Sequence, residues 1–201
     1  MPWFSHFINK WSQQLGLSFI LILIVGLNIY WGLTLSAFGS HFEQLANAPL
    51  LDLENVGSIL SPEAAMTLVT SYSSEARSLY WVFFILDNLI PPIVFGSFAL
   101  LWAYAIRHFP PDWANRLLRS HLLLLPLGVG LFDCLENLCF VLVISGNQEL
   151  EFQIMQLGLI FVYLKAICLF LVFGVTPLLI LTALVSRIRR GSHQMSPLSN
   201  H

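Results

Sequence analysis

Four long apolar runs, none holding more than two acidic or basic residues, constrain this chain more than anything else in it: Leu15–Ala37, Leu79–Ile106, His121–Ser145 and Met155–Val185. A hydrocarbon core of about 30 Å takes about 20 helical residues to cross, so every run is long enough. Within lipid each backbone N–H and C=O must be satisfied inside the segment, which makes these runs helices. Composition agrees. Charged residues make up 10% of the chain and hydrophobic ones 57%, whereas a soluble domain carries about 25% charged residues. The expected fold is all-α: a polytopic four-helix membrane bundle, with residues 1–190 as one four-span domain and 191–201 as a disordered tail.

Lys10 precedes the first run, and Ala37-Phe38-Gly39 offers a small-x-small site. The run is nevertheless about twice as long as a signal-peptide core of about 7–15 residues, so an uncleaved anchor is expected. Charge sets the orientation. Segment 1–14 holds Lys10, segment 107–120 holds Arg107, Arg116 and Arg119, and the tail holds Arg187, Arg189 and Arg190. The other two connections hold Arg77 against Glu43, Asp52, Glu54, Glu63, Glu75, Glu149 and Glu151. The positive-inside rule then puts both termini in the cytoplasm, the chain in the inner (plasma) membrane and the 38–78 loop outside. Trp31, Tyr80 and Trp81 are expected in an outer aromatic belt, with Trp102, Tyr104 and Trp113 in an inner one. The partner is the lipid bilayer. A net charge of −2 with no basic run argues against nucleic acid. Cys134, Cys139 and Cys168 lie in apolar stretches without a C-x-x-C pair, so they read as small buried residues and not as a redox couple.

Inside the 38–78 loop, Ser61-Pro62-Glu63 is a helix start: a serine N-cap, proline in the first turn and an acid at the positive end of the dipole. Ala64, Ala65, Leu68, Val69 and Tyr72 follow at helical spacing. They predict a short amphipathic helix that lies on the outer leaflet or caps the bundle.

Four charged residues fall within the spans: Asp87, Asp133, Glu136 and Lys165. Each costs about 2.5–3.5 kcal/mol near the bilayer centre, about 10 kcal/mol together if uncompensated, which rivals the stability of a whole domain. They must turn inward and meet one another or water. Counted from the outer helix ends at 1.5 Å per residue, Asp87, Glu136, Lys165, Asp133 and Asn28 all fall about 12–18 Å deep. Asp133, Glu136 and Asn137 share one face of the third span. Pro91-Pro92 follows Asp87 by one turn, so a kink and freed carbonyls are expected beside it. Tyr163, two residues from Lys165, points away from it. Three carboxyls against one ammonium leave −2 if all are ionised, so one or two protons, or a bound cation, are expected.

Three classes of function stay open. The first is a proton- or ion-coupled transporter or small channel, which would act as a homo-oligomer because four helices without an inverted repeat are few. The second is an intramembrane enzyme on a lipid or isoprenoid, with the acids as acid/base groups and Lys165 as base or nucleophile. The third is a non-catalytic partner subunit working through the 38–78 loop. Against all three stands a structural reading in which the polar residues are interhelical glue, worth about 0.6–2 kcal/mol per pair. Carboxylate and Asn oxygens suit a hard cation, but Lys165 opposes one, and no metal site or cofactor is assigned. The aspartate-rich patterns D-D-x-x-D and D-G-x-x-A-R of membrane prenyl- and phospho-transferases are absent from the sequence.

Pro49-Leu50-Leu51-Asp52, Ser61-Pro62-Glu63-Ala64-Ala65, Glu75-Ala76-Arg77-Ser78-Leu79-Tyr80, Leu86-Asp87, Asp133-x-x-Glu136-Asn137 and Lys165 together carry a resemblance. The chain resembles an uncharacterised family of small bacterial multi-pass membrane proteins. In that family Gly-Arg-x-x-Tyr leads into a helix with an Asp and a Pro, and a later helix carries Asp-x-x-Glu-Asn. The likeness covers about residues 49–165, with Ala76 in place of the usual Gly. It implies that these residues belong together and adds no chemistry. By the same analogy Arg77 and Tyr80 join the site at its outer mouth, where Arg77 pairs with Asp52 or Glu75 or snorkels at the interface.

Overall fold

The computed structural model describes residues 2–51, 61–146 and 151–194, with side chains described from Phe7 to Ile188 within those ranges. Asp52, Glu54, Glu149 and tail residues 195–201 lie outside the described residues. Seven α-helices follow in order: α1 Pro2–Gln14, α2 Leu17–Ala46, α3 Pro62–Thr70, α4 Ser74–Ile106, α5 Pro111–Arg119, α6 Leu124–Ile144 and α7 Glu151–Gln194, with a 3₁₀ turn at His121–Leu123 before α6. Among the described residues there is no strand. Four of these helices are long and apolar enough to span a membrane, so the chain is an all-α polytopic bundle.

The centre of the bundle is α4 with α6 and α7; α2 packs mainly on α4. That arrangement leaves α2 almost wholly uncovered by protein, with Phe19, Ile22, Val25, Ile29 and Leu33 all exposed, as a lipid-facing helix must be. Small residues allow the close packing. A Cβ on Gly158 of α7 would stand 2.8 Å from the Phe140 ring of α6, and one on Gly130 of α6 would stand 3.1 Å from the Pro92 Cα of α4. Between membrane helices such close contact supplies the dispersion that the hydrophobic effect does not.

The long helices overrun the apolar runs that announce them. α2 continues nine residues past Ala37 and ends at Asn47 with φ 50°, the left-handed residue that commonly closes a helix, with Pro49 just beyond. α7 is helical through Gln194, so residues 191–194 of the expected tail belong to it.

Both ends of the bundle are capped by shorter helices. At one end α3 begins as its sequence predicts, with the Ser61 hydroxyl accepting the Ala64 N–H. It buries Ala65 and Val69 against α6 and α7, and so caps the bundle. At the other end α1 and α5, neither foreseen as a helix, lie against α4. Pro110-Pro111-Asp112 was the missed signal for α5: proline in the first turn, an acid behind it, and Arg116 and Arg119 in the last turn.

Two expected belt residues are in the core. Tyr80 and Trp102 are both fully buried; the Tyr80 hydroxyl donates to the Leu51 carbonyl at 3.2 Å, and Trp102 Nε1–H donates to Thr176 Oγ1 at 2.8 Å. Each ring found a polar partner inside the protein and so had no need of the headgroup region. Trp81 and Trp113 are exposed, as interfacial aromatics are.

Candidate functional site

Helix periodicity puts Asp133, Glu136 and Asn137 on the one face of α6 that meets both α4 and α7. Lys165 reaches in from α7. Its Nζ stands 2.9 Å from Asp133 Oδ1 and 2.6 Å from Glu136 Oε2. The other oxygen of Asp133 accepts from Asn137 Nδ2 at 3.4 Å, and the same amide donates to Asp87 Oδ2 of α4 at 2.6 Å. The result is a continuous string across three helices: Asp87, Asn137, Asp133, Lys165, Glu136. None of its members is more than 7% exposed. Lys165 is the hub of charge and Asn137 the hub of hydrogen bonding.

The prolines complete the site. Pro92 has no N–H, so in a continuous helix the carbonyl of Asn88 loses its partner. The Cys134 thiol of α6 stands 3.8 Å from that carbonyl and donates to it, a distance within the range of a weak sulfur bond. Gly130, one turn away on α6, is the residue that packs on Pro92. Cys134 therefore fills a backbone need created by the proline, and α4 runs helical through both prolines.

A partly open cavity of about 160 Å³ borders the network. Asp87, Asp133 and Lys165 form its polar wall, and Asn28 and Trp31 of α2 face them. Asn28 uses its amide to donate to the Ile24 carbonyl at 2.7 Å, so it lines the cavity without joining the string. Tyr163 is half-exposed, whereas Lys165 is buried.

The chain matches no known family model, no curated protein and no solved structure.

Arg77 and Tyr80 are placed elsewhere than the cavity wall. Arg77 does not reach Glu75: its Nε donates to the Tyr72 carbonyl at 3.2 Å, and its two terminal nitrogens donate to Val69 and Ile144 carbonyls at 3.3 Å. These are carbonyls at or just past the C-terminal ends of α3 and α6, which carry the negative end of the helix dipole. The planar guanidinium satisfies both at once, while Glu75 stays at the start of α4 beside Ser74. Asp52, its other expected partner, lies outside the described residues. Tyr80 and Tyr72 together hold the 49–51 segment over the bundle, Tyr72 donating to the Pro49 carbonyl at 2.7 Å. Leu50 and Leu51 are buried beneath.

Proposed function

We propose that this is a membrane-embedded protein that handles protons, ions or a small charged molecule, with Asp87, Asp133, Glu136, Asn137 and Lys165 as its working centre. One observation carries the reading: Asp133 is shared between Lys165 and Asn137 while also lining a cavity. A network kept only as glue has no need of a cavity at its charged end. Three carboxyls meet one ammonium, so full ionisation would leave two negative charges in a water-poor layer, which a proton or a cation must offset. A proton arriving at Asp133 would weaken its hold on Lys165 and shift that ammonium toward Glu136, giving the site two charge arrangements. The same proposal includes an inner-membrane location with both termini cytoplasmic and kinship with the bacterial family whose motifs the sequence resembles. It also includes a homo-oligomer, for which the exposed face of α2 is available.

The test is proton entry into liposomes that hold the purified chain and a pH-sensitive dye, under an imposed membrane potential. Entry faster than in empty liposomes, lost in Asp133→Asn, is the expected result. Rates equal to those of empty liposomes, or unchanged in Asp133→Asn, would remove proton handling from the reading. A lipid-modifying enzyme is the second reading, favoured because one cavity wall is α2, a helix otherwise facing lipid. It predicts a mass change in added phospholipid or isoprenoid that disappears in Lys165→Met.

A further inference from the structure

A second recess lies at the α5 end of the bundle, between the start of α2, the end of α4 and the end of α7. It is an apolar groove of about 120 Å³ whose walls include Leu21, Leu101, Ile180 and Leu184. Its polar groups are gathered at one end. His108 lies just past the end of α4, and Arg187 follows Ile180 by seven residues of α7, about 10 Å nearer the bundle end. His108 Nδ1–H donates to the Tyr104 carbonyl at 3.0 Å, which fixes the ring at the rim. Arg187 is exposed there. Ile20, Ile24 and Leu101 form a buried apolar cluster behind the groove, with Ile180 packed against it. Beyond them Phe98 and Phe173 meet edge to face at 6.2 Å, between the groove and the polar cavity. The groove is therefore a chamber separate from the proposed working centre.

Charge names the occupant. Among the described side chains at this end stand Lys10, Arg107, Arg116, Arg119 and Arg187, against the single acid Asp112. A slot with an apolar floor and Arg187 at its rim, at a basic end of the bundle and on a face that otherwise meets lipid, has the polarity of a membrane lipid with an anionic headgroup. An arginine can clamp a phosphate through two parallel N–H bonds. We propose that this groove binds one anionic phospholipid of the bilayer, its acyl chain between α2 and α7 and its phosphate on Arg187 beside His108.

The full chain, purified in mild detergent and stripped of lipid, is incubated with phosphatidylglycerol or phosphatidylcholine and weighed intact by native mass spectrometry. Retention of one phosphatidylglycerol in preference to phosphatidylcholine is expected. Arg187→Gln should lower that retention about fivefold, the factor that one cation near an anionic lipid surface supplies. Leu21→Trp fills the groove and should abolish retention; Leu21 is 40% exposed, so the larger ring does not disturb the core. Equal retention of the two lipids, retention unchanged in Arg187→Gln, or a lipid-free dimer with the groove covered by a second copy would each overturn the proposal.

Discussion

Lys165 holds two carboxylates apart, and each holds it in place. The three positions are therefore unequal under substitution. Asp133→Asn leaves Lys165 with Glu136 and keeps an oxygen for Asn137, so it should cost about 1.5–3 kcal/mol, the range for a lost hydrogen bond to a charged group. Lys165→Met strands two buried carboxylates side by side and should cost about 3–5 kcal/mol, as breaking a buried pair does. Unfolding midpoints in detergent at neutral pH check the order; equal losses for the two variants would mean the hub is not Lys165. A sequence-based reading could place all five residues in one layer from helical rise alone, because depth along a helix is linear in residue number. It could not see that Asn137 bridges two carboxylates, since that depends on how α4 is rotated against α6.

At the level of the helix, α4 is clasped at both ends by arginines that serve neighbouring backbones. Arg77 joins the C-terminal carbonyls of α3 and α6, and Arg107 donates to the Ser12 carbonyl in the last turn of α1 while lying over the Tyr104 ring. Arg77→Met should destabilise the α3 cap by about 1.5–3 kcal/mol, read as faster amide exchange across 62–72 with the spans unaffected. Arg77→Lys should recover only part of the protection, because an ammonium cannot fork to two helix ends. The starts of α3 and α4 have a separate dependence on pH. Glu63 and Glu75 are held below the ordinary carboxylate value of 4.5, first by their own backbone N–H groups and then by Ser61, and by Ser74 and Ser73. A carboxyl lowered on folding stabilises in full above its unfolded value and loses that contribution as pH falls through the lowered one. Protection at the first turns of α3 and α4, taken relative to the intrinsic exchange rate at each pH, should thus fall only below about pH 4.5, and that fall should vanish in a Glu63→Gln, Glu75→Gln double variant. A loss of protection that persists in that variant would assign the effect elsewhere.

For the whole molecule, four spans put α3 at one end of the bundle and α1 and α5 at the other. Single cysteines at Ser71 and Asn115, in a background with Cys134, Cys139 and Cys168 replaced by alanine or serine, should label from opposite sides of the membrane. On the proposed orientation, which the arginines of the α5 end favour, Asn115 is the cytoplasmic one, and a membrane-impermeant reagent added to intact cells should reach Ser71 alone. Labelling of Asn115 from outside would invert the orientation and with it the side from which the polar cavity is approached.

The spans, their helical form, the α3 start and the membership of the polar layer were legible in the sequence, because hydropathy, capping chemistry and helical rise are local and additive. Helix ends were less so: α2 passes its apolar run by nine residues because α-helix continues through polar residues until a left-handed Asn47 stops it. The short α1 has no such local signal and forms on packing, not on propensity, whereas α5 does carry one in Pro110-Pro111-Asp112. Only the tertiary structure decided that Tyr80 and Trp102 are core, that Arg77 serves carbonyls and not carboxylates, and that Cys134 answers the carbonyl freed by Pro92. Each of these depends on which side chains face one another across two helices, and one chain's residue order does not contain that rotation.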